Sequence, residues 1–174
     1  MPGEIETMAR SMMSSPQGMK IIKGLDKYNA LMNTDGGRQL LELERPQAVY
    51  FLGDGERDWR QVDLPYTTAF AAVSGNCDMM SMEPPYRKFE LYGHTVFLTH
   101  GHLYGVKQGL SGLHGQALQH DADLVFYGHT HCAKMVEMDG CTLVCPGTMS
   151  SGKEEYVVLD MKQDGSYTLD FRKL

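Results

Sequence analysis

The sequence predicts a mixed α/β fold, built either as one mixed sheet or as a pair of sheets with helices on the outside. Short apolar runs that end in polar or glycine-rich segments recur through the first two thirds of the chain, as in parallel βα units. Two hairpin signals, Asp139-Gly140 and Asp164-Gly165, follow in the last third. The 174 residues, 42% of them hydrophobic and 22% charged, suffice for one globular domain.

The first elements lie before the first Gly-Asp pair. Residues 1–18 have no sustained period, so we interpret them as a flexible or non-native extension and expect the domain over residues 19–174. Leucines within residues 40–43 lie in a charged setting that stops at Arg45-Pro46, which predicts a helix ending before the proline. The apolar run 48–52 then ends at a glycine and predicts a strand buried on both faces.

The later elements follow the same pattern of an apolar run and a polar terminus. Helical spacing of apolar residues predicts a helix within residues 104–120, between two of the strands. Each Asp-Gly pair predicts a tight turn between two antiparallel strands. The predicted strands are 70–73, 96–98, 124–127, 134–138, 141–145, 156–161 and 167–171.

Composition and charge exclude several classes of protein. A net charge of −6 leaves no broad basic face for a phosphate backbone, so nucleic-acid binding is not expected. No apolar run approaches the roughly 20 residues of a membrane span, and we expect a cytoplasmic protein. The four cysteines contain no Cys-x-x-Cys pair, which excludes a zinc ribbon, and a cytoplasmic setting favours reduced thiols. The sequence does not decide between a monomer and a homo-oligomer.

Polar side chains and imidazoles follow four of the predicted strands. In open α/β sheets, ligands gather at the carboxyl ends of the strands. Any one of these residues alone is more often a turn or a hydrogen-bonded loop residue, but their joint position predicts a binding site. The candidates are Asp54, Asn76, His100, His102, His129 and His131.

The His-x-His spacing is typical of a metal site. In an extended segment, residues two apart point to the same face, so His129 and His131 can each serve a different ion of a pair. The two oxygens of Asp54 can bridge that pair. Imidazole together with carboxylate suits manganese, zinc or iron better than magnesium or calcium.

Two such ions point to phosphoester hydrolysis. A hydroxide between them becomes a nucleophile near neutral pH, and the ions hold the oxygens of an in-line phosphoryl displacement. The chain contains no His-Glu-x-x-His helix, which makes peptide hydrolysis the weaker interpretation.

Four short motifs carry a resemblance to a known family. They are Gly53-Asp54, Gly75-Asn76, His100-Gly101-His102 and Gly128-His129-Thr130-His131, in this order. The series resembles the calcineurin-like metallophosphoesterases, and more narrowly their small bacterial and archaeal phosphodiesterases. The resemblance covers about residues 19–174 and implies two packed mixed sheets flanked by helices, a four-layer sandwich.

The resemblance also implies a ligand set for two divalent ions. Asp54 would bridge the ions, Asn76, His100 and His129 would complete one site, and His131 would belong to the other. Manganese is the expected metal, with zinc, iron and nickel as alternatives. The implied activity is hydrolysis of a small phosphodiester.

One departure from the family affects the first metal site. The family opens with a strand that ends in Asp-x-His, and no Asp-x-His precedes Asp54 here. Asp26 has the right separation from Asp54 to be a ligand, but Tyr28 stands in place of the histidine, and a neutral phenol is a poor ligand. Alternatively, residues 19–34 form a rearranged loop in which Asp26 is solvated.

A second departure concerns the residue after Gly75-Asn76. Many members have a histidine there that protonates the leaving group, whereas this chain has Cys77, as the small phosphodiesterases do. His102 then becomes the better candidate for an acid or a phosphate hydrogen-bond donor, and the alternative is that it orients a ligand. The catalytic candidates are His102, Asn76 and Cys77.

The sequence therefore predicts a metal-dependent phosphodiesterase that uses a metal-bound hydroxide at a dinuclear site. A protein-binding scaffold is the alternative from another class, as in the retromer subunit that resembles this family. The missing Asp-x-His favours the scaffold, and the intact His-x-His pairs favour the enzyme.

Overall fold

The computed structural model describes residues 37–149 and 153–174, together with the backbone of residues 19–22. The expected extension over residues 1–18 and the candidates Asp26 and Tyr28 lie outside these residues. The strands are β1 Met19–Ile22, β2 Ala48–Phe51, β3 Ala69–Ala72, β4 Tyr86–Leu91, β5 His94–Thr99, β6 Leu124–Tyr127, β7 Lys134–Met138, β8 Cys141–Cys145, β9 Glu155–Met161 and β10 Tyr167–Lys173. The helices are α1 Gly37–Glu44, α2 Glu56–Trp59 and α3 Ser111–Gln119, with a 3₁₀ turn at His102–Tyr104.

The described strands form two five-stranded sheets. The first sheet has the order β10-β9-β1-β2-β3, and the second has the order β4-β5-β6-β8-β7. Strands β1, β2 and β3 are parallel in the first sheet, and β5, β6 and β8 are parallel in the second. Antiparallel strands lie outside both parallel sets. This arrangement confirms the predicted mixed α/β fold and selects the pair of sheets.

The main core lies between the two sheets, and each sheet is covered by a helix on its other face. Alternate residues of β5 show this, because Val96 and Leu98 pack between the sheets while Phe97 packs in the cluster that contains Leu113 of α3. On the far side of the first sheet, Leu40 of α1 packs in a separate cluster with residues of β9. The layers are therefore helix, sheet, sheet and helix, as the family resemblance implied.

The predicted two-residue turn after β7 agrees with the structure more closely than the predicted helix within residues 104–120 does. Asp139 and Gly140, both with positive φ, join β7 to β8, as the Asp-Gly pair predicted. The helix predicted within residues 104–120 is shorter than expected and begins at Ser111. Glycines with positive φ at 105 and 109 interrupt the helical path before it. Within the described residues, no helix combines the length and apolarity needed to cross a bilayer.

Candidate metal centre

The predicted site residues come from strand ends of both sheets. Asp54 follows β2 and Asn76 follows β3 in the first sheet, whereas His100 follows β5 and His129 follows β6 in the second. The order of strands and polar residues along the chain predicts that these residues lie at one edge of a sheet. The structure instead brings them together where the ends of two packed sheets meet.

His100 lies at the centre of this group. Its side chain is buried, and its Nδ1 lies 2.7 Å from the carbonyl oxygen of Leu52. A carbonyl can only accept a hydrogen bond, so Nδ1 carries a hydrogen, and Nε2 is the ring nitrogen that can bind a metal once it has lost its own proton. Nε2 lies 3.1 Å from Oδ1 of Asn76, 3.2 Å from Nδ1 of His129 and 3.2 Å from Oδ2 of Asp54.

These four atoms fit a divalent cation. Oδ1 of Asn76 and Oδ2 of the ionised Asp54 are acceptors, so they offer lone pairs to an ion bound beside Nε2 of His100. Ligand atoms that hold one ion at about 2.0–2.2 Å lie about 3–3.5 Å from one another, close to the observed separations. Among the described residues, Asp54, His100 and His129 also form a group whose ligand atoms all lie within 4.8 Å.

The protonation states of the group suit metal binding, because ligands must be deprotonated. Burial by itself raises the pKa of Asp54, but hydrogen bonding and charge from His100 and the Cys77 N–H together lower that pKa to about 2. Burial and the neighbouring His100 lower the pKa of His129 to about 4. At neutral pH the carboxylate is therefore charged and the His129 ring is neutral.

Two glycines allow the loops of the first sheet to touch. A Cβ atom at Gly75 would lie 2.0 Å from Oδ1 of Asp54, and one at Gly53 would lie 2.5 Å from the nitrogen of Gly75. Asp54 itself has a φ of 62°, a conformation that side chains rarely adopt. Close packing of the two loops therefore explains the glycine in both the Gly-Asp and the Gly-Asn pair, since a larger residue at either glycine would disturb the loops that hold the Asp54 carboxylate.

Sequence reasoning missed Asp78, which joins the two loops. Its carboxylate accepts hydrogen bonds from the backbone N–H groups of Asp54 (2.7 Å), Gly55 (2.8 Å), Glu56 (2.9 Å) and Gly75 (2.9 Å). Asp78 is therefore a positioning residue for Asp54. Its one signal in the sequence is its place two residues after Asn76, which does not reveal four partners on two loops.

The catalytic candidates surround this group. The backbone N–H of Cys77 donates to Oδ1 of Asp54 at 2.7 Å, and Nδ2 of Asn76 lies 3.2 Å from Sγ of Cys77. The His102 ring centroid lies 5.3 Å from that of His100 and 6.1 Å from that of His129. Burial and the neighbouring His100 lower the pKa of His102. Its Nδ1 is buried and has no hydrogen-bond partner among the described residues.

His131 does not join the group of Asp54, His100 and His129. It lies in the same loop as His129, but its side chain is exposed. The extended geometry assumed for the His129–His131 pair is wrong, because both residues have positive φ, 67° and 56°, in a bent segment. The assignment of His131 to a second ion stays a prediction, as does that of Asp26.

Comparison with known proteins identifies the family. The sequence model of the calcineurin-like phosphoesterase superfamily domain matches residues 33–164, about three quarters of the chain. The chain is 29% identical over 118 residues to a probable metallophosphoesterase, YsnB, of Bacillus subtilis, which covers 66% of this chain and 68% of that protein.

Solved structures share the fold. One is an archaeal phosphodiesterase, with a TM-score of 0.62 and 21% identity over 88% of this chain and 100% of that chain. Another is Vps29 of Entamoeba histolytica in complex with zinc, with a TM-score of 0.70 and 19% identity over 88% of this chain and 98% of that chain. The domain match shows that the chain belongs to the calcineurin-like phosphoesterase superfamily.

Proposed function

We propose that this member of the calcineurin-like phosphoesterase superfamily is a metal-dependent phosphodiesterase that hydrolyses a small phosphodiester at a dinuclear site. The observation that carries the proposal is the convergence of four side chains, in which Nε2 of His100 lies 3.1–3.2 Å from possible ligand atoms of Asp54, Asn76 and His129. Such a cluster is stabilised when a cation shares its lone pairs.

The described residues would hold one ion through Asp54, Asn76, His100 and His129. His131 and Asp26 are assigned to the second ion on sequence grounds alone. Manganese is the metal that we favour, with zinc, iron and nickel as alternatives, because the donors are mixed imidazole and oxygen. Bound divalent ions would supply an activated water and neutralise charge on the phosphate oxygens.

The protein's own groups would orient the ligands and the substrate. Leu52 fixes the ring of His100, and the Cys77 N–H fixes one oxygen of Asp54, leaving the other oxygen toward the centre. In the hydrolysis, a water oxygen bonds to phosphorus as the water gives up a proton, the P–O bond to the leaving group breaks, and the released alkoxide takes up a proton to become the alcohol. His102 is our candidate donor to the phosphate or to this alcohol, and Cys77 is the alternative.

A protein-binding scaffold is the second candidate function. Vps29 structures share this fold, and three methionines of one loop are largely exposed: Met79 (86%), Met80 (96%) and Met82 (89%). Exposed apolar side chains grouped together are typical of interaction sites. The exposed methionines are the observation that favours a scaffold function, although that function does not explain why the candidate metal ligands converge.

Metal content and hydrolysis distinguish the two functions. Purified protein is assayed for bound metal and for hydrolysis of bis-p-nitrophenyl phosphate with and without manganese. We expect bound metal and turnover, with both lost in His129→Ala and kept in the control His120→Gln, whose ring packs on Phe97 away from the centre. Absence of both bound metal and turnover would overturn the proposed enzymatic function and favour the scaffold function.

His131→Ala tests the second ion. If two ions bind, this variant should keep the ion held by His129 and lose the other, so that the metal content falls from two to one. An unchanged metal content would remove His131 from the ligand set. The cytoplasmic location stays a prediction from the sequence.

A further inference from the structure

A groove of about 490 Å³ lies beside the candidate metal centre. One wall is formed by α2 and the other by residues 77–80. The groove lies next to the proposed metal ligands. Asp54 directly precedes the first lining residue of one wall in the sequence, and Asn76 directly precedes that of the other. Its volume lies within the range of small-molecule sites.

The two walls are held in a fixed relation. The Asp78 carboxylate accepts hydrogen bonds from backbone N–H groups of Gly55 and Glu56 on one wall and of Gly75 before the other. On α2 itself, Oε1 of Glu56 accepts from Nε (2.9 Å) and Nη2 (2.6 Å) of Arg60. The groove is therefore tied to the same loops that position the metal ligands.

Its lining offers flat and polarizable surfaces. Met79 and Met80 line one wall with side chains 86% and 96% exposed. Arg57 lies on the opposite wall, and its guanidinium has no ion pair with any other described residue. Thioethers make favourable contacts with aromatic rings, and guanidinium groups stack on them.

The charges of the lining disfavour a strongly anionic ligand. Glu56, Asp58 and Asp78 line the groove together with Arg57 and Arg60, so negative groups outnumber positive ones. A second phosphate group would be repelled by this arrangement. A neutral ring with polar edges suits it better, because carboxylates accept hydrogen bonds from hydroxyl and amino groups.

We propose that this groove binds the aromatic part of the ester group that remains on phosphorus, so that the enzyme prefers phosphodiesters in which this group is aryl or nucleoside rather than alkyl. The inference rests on the proposed function, since it assumes that the phosphodiester lies at the metal centre. The ring would lie against Met79 and Met80, with the Arg57 guanidinium on its other face.

Three substrates with the same leaving group test this preference. They are methyl, phenyl and thymidine 5′ esters of p-nitrophenyl phosphate, which all release p-nitrophenolate and differ in the ester group that remains. We expect kcat/KM to be about tenfold higher for the phenyl and thymidine esters than for the methyl ester, mainly through KM. In Met79→Ala/Met80→Ala and in Arg57→Gln, this ratio should fall toward one.

Met135→Ala is the matched control, because Met135 of β7 is 50% exposed and lies outside the groove. It should keep the tenfold ratio. Equal kcat/KM values for the three esters in the unmodified protein would overturn the groove assignment while leaving the phosphodiesterase intact. No hydrolysis of any ester would instead overturn the proposed function.

Methyl NMR tests the groove without turnover, on protein loaded with zinc so that the metal centre can hold the phosphate. Protein labelled with ¹³C-methyl methionine is titrated with thymidine 5′-monophosphate, and with inorganic phosphate as the probe that lacks a ring. We expect ring-current shifts at the Met79 and Met80 methyls, identified through their alanine variants, with thymidine 5′-monophosphate alone. Absence of these shifts, or equal shifts with inorganic phosphate, would overturn the proposal.

Discussion

His100 shows how a single contact prepares a residue for metal binding. The hydrogen bond to the Leu52 carbonyl occupies Nδ1, so Nε2 is the ring nitrogen that faces the other candidate ligands. The sequence places His100 at the end of a strand. It does not reveal Leu52 as the partner, because the two residues are 48 positions apart and belong to different sheets.

Gly75→Ala should weaken metal binding although Gly75 is not itself a candidate ligand. The new Cβ would lie 2.0 Å from Oδ1 of Asp54, so the carboxylate must move, and we expect metal affinity to fall by about 100-fold. Isothermal titration with manganese measures the change. The control is Gly115→Ala in α3, where no atom lies within 4 Å and affinity should be unchanged. Equal affinities in the two variants would contradict the packing argument.

At the scale of elements, the short connections after the strands decide the site. The loops after β2 and β3 contain Gly53 and Gly75, which let the two loops approach each other, and Asp78 then joins them by four hydrogen bonds. Elements with strong local signals were predicted well, as the Asp139-Gly140 hairpin shows. The helix within residues 104–120 was predicted less well, because apolar spacing does not reveal where glycines break the helical path.

Asp78→Asn tests the junction of these loops. The amide keeps one oxygen acceptor and turns an NH₂ group toward backbone N–H donors, so about half of the hydrogen bonds are lost. We expect the free energy of unfolding to fall by about 2–4 kcal/mol and metal affinity to fall with it. Urea denaturation and manganese titration measure both. Asp63→Asn, at an exposed position, is the control, and an Asp78→Asn variant as stable as this control would refute the role of Asp78.

At the scale of the whole molecule, β5 carries links between the sheets at both of its ends. Beyond its C-terminal end, His100 contacts residues of the first sheet in the candidate metal centre. His94 lies at its N-terminal end, about 20 Å away along the strand. Nδ1 of His94 lies 2.5 Å from Oδ2 of Asp123, and Nε2 lies 2.8 Å from the carbonyl oxygen of Gly165, in the β9–β10 turn. A carboxylate and a carbonyl oxygen both accept hydrogen bonds, so the protonated His94 ring can donate one to each of them.

The His94 link should depend on pH. Burial lowers the pKa of His94, but the hydrogen bonds to Gly165 and Asp123 outweigh this effect and raise the pKa above its usual value. A raised folded pKa means that the stabilisation is complete below about pH 6.5 and is lost as the pH rises through the folded value. Relative to His94→Gln, the native protein should be about 1–2 kcal/mol more stable at pH 6 and lose that advantage at pH 9.

Urea denaturation at both pH values measures this difference. His120→Gln serves as the control for loss of a histidine elsewhere, and its difference from the native protein should not show the same dependence. If the stability of the native protein relative to His94→Gln instead increased with pH, the pH dependence would have the opposite sign to the expected one. That result would exclude stabilisation by a protonated His94.

Metal removal should loosen the contact between the sheets. Because the ligands come from both sheets, an ion that binds the folded state stabilises it, by about 2.7 kcal/mol at 100 times its Kd. For a chain of this size, that corresponds to a rise in Tm of about 5–10 °C. Differential scanning calorimetry with manganese and with EDTA measures the shift, and His129→Ala should abolish it. The same shift in His129→Ala would place the ion elsewhere.

The sequence by itself determined the fold class, the hairpins and the residues that follow the strands, because periodicity and turn chemistry are local properties. Its motif series also identified the family. Only the tertiary structure decided that Asp54 and Asn76 meet His100 and His129 across two sheets, that Asp78 joins their loops, and that His131 is exposed. These facts depend on how distant segments pack, and no pattern of neighbouring residues encodes that packing.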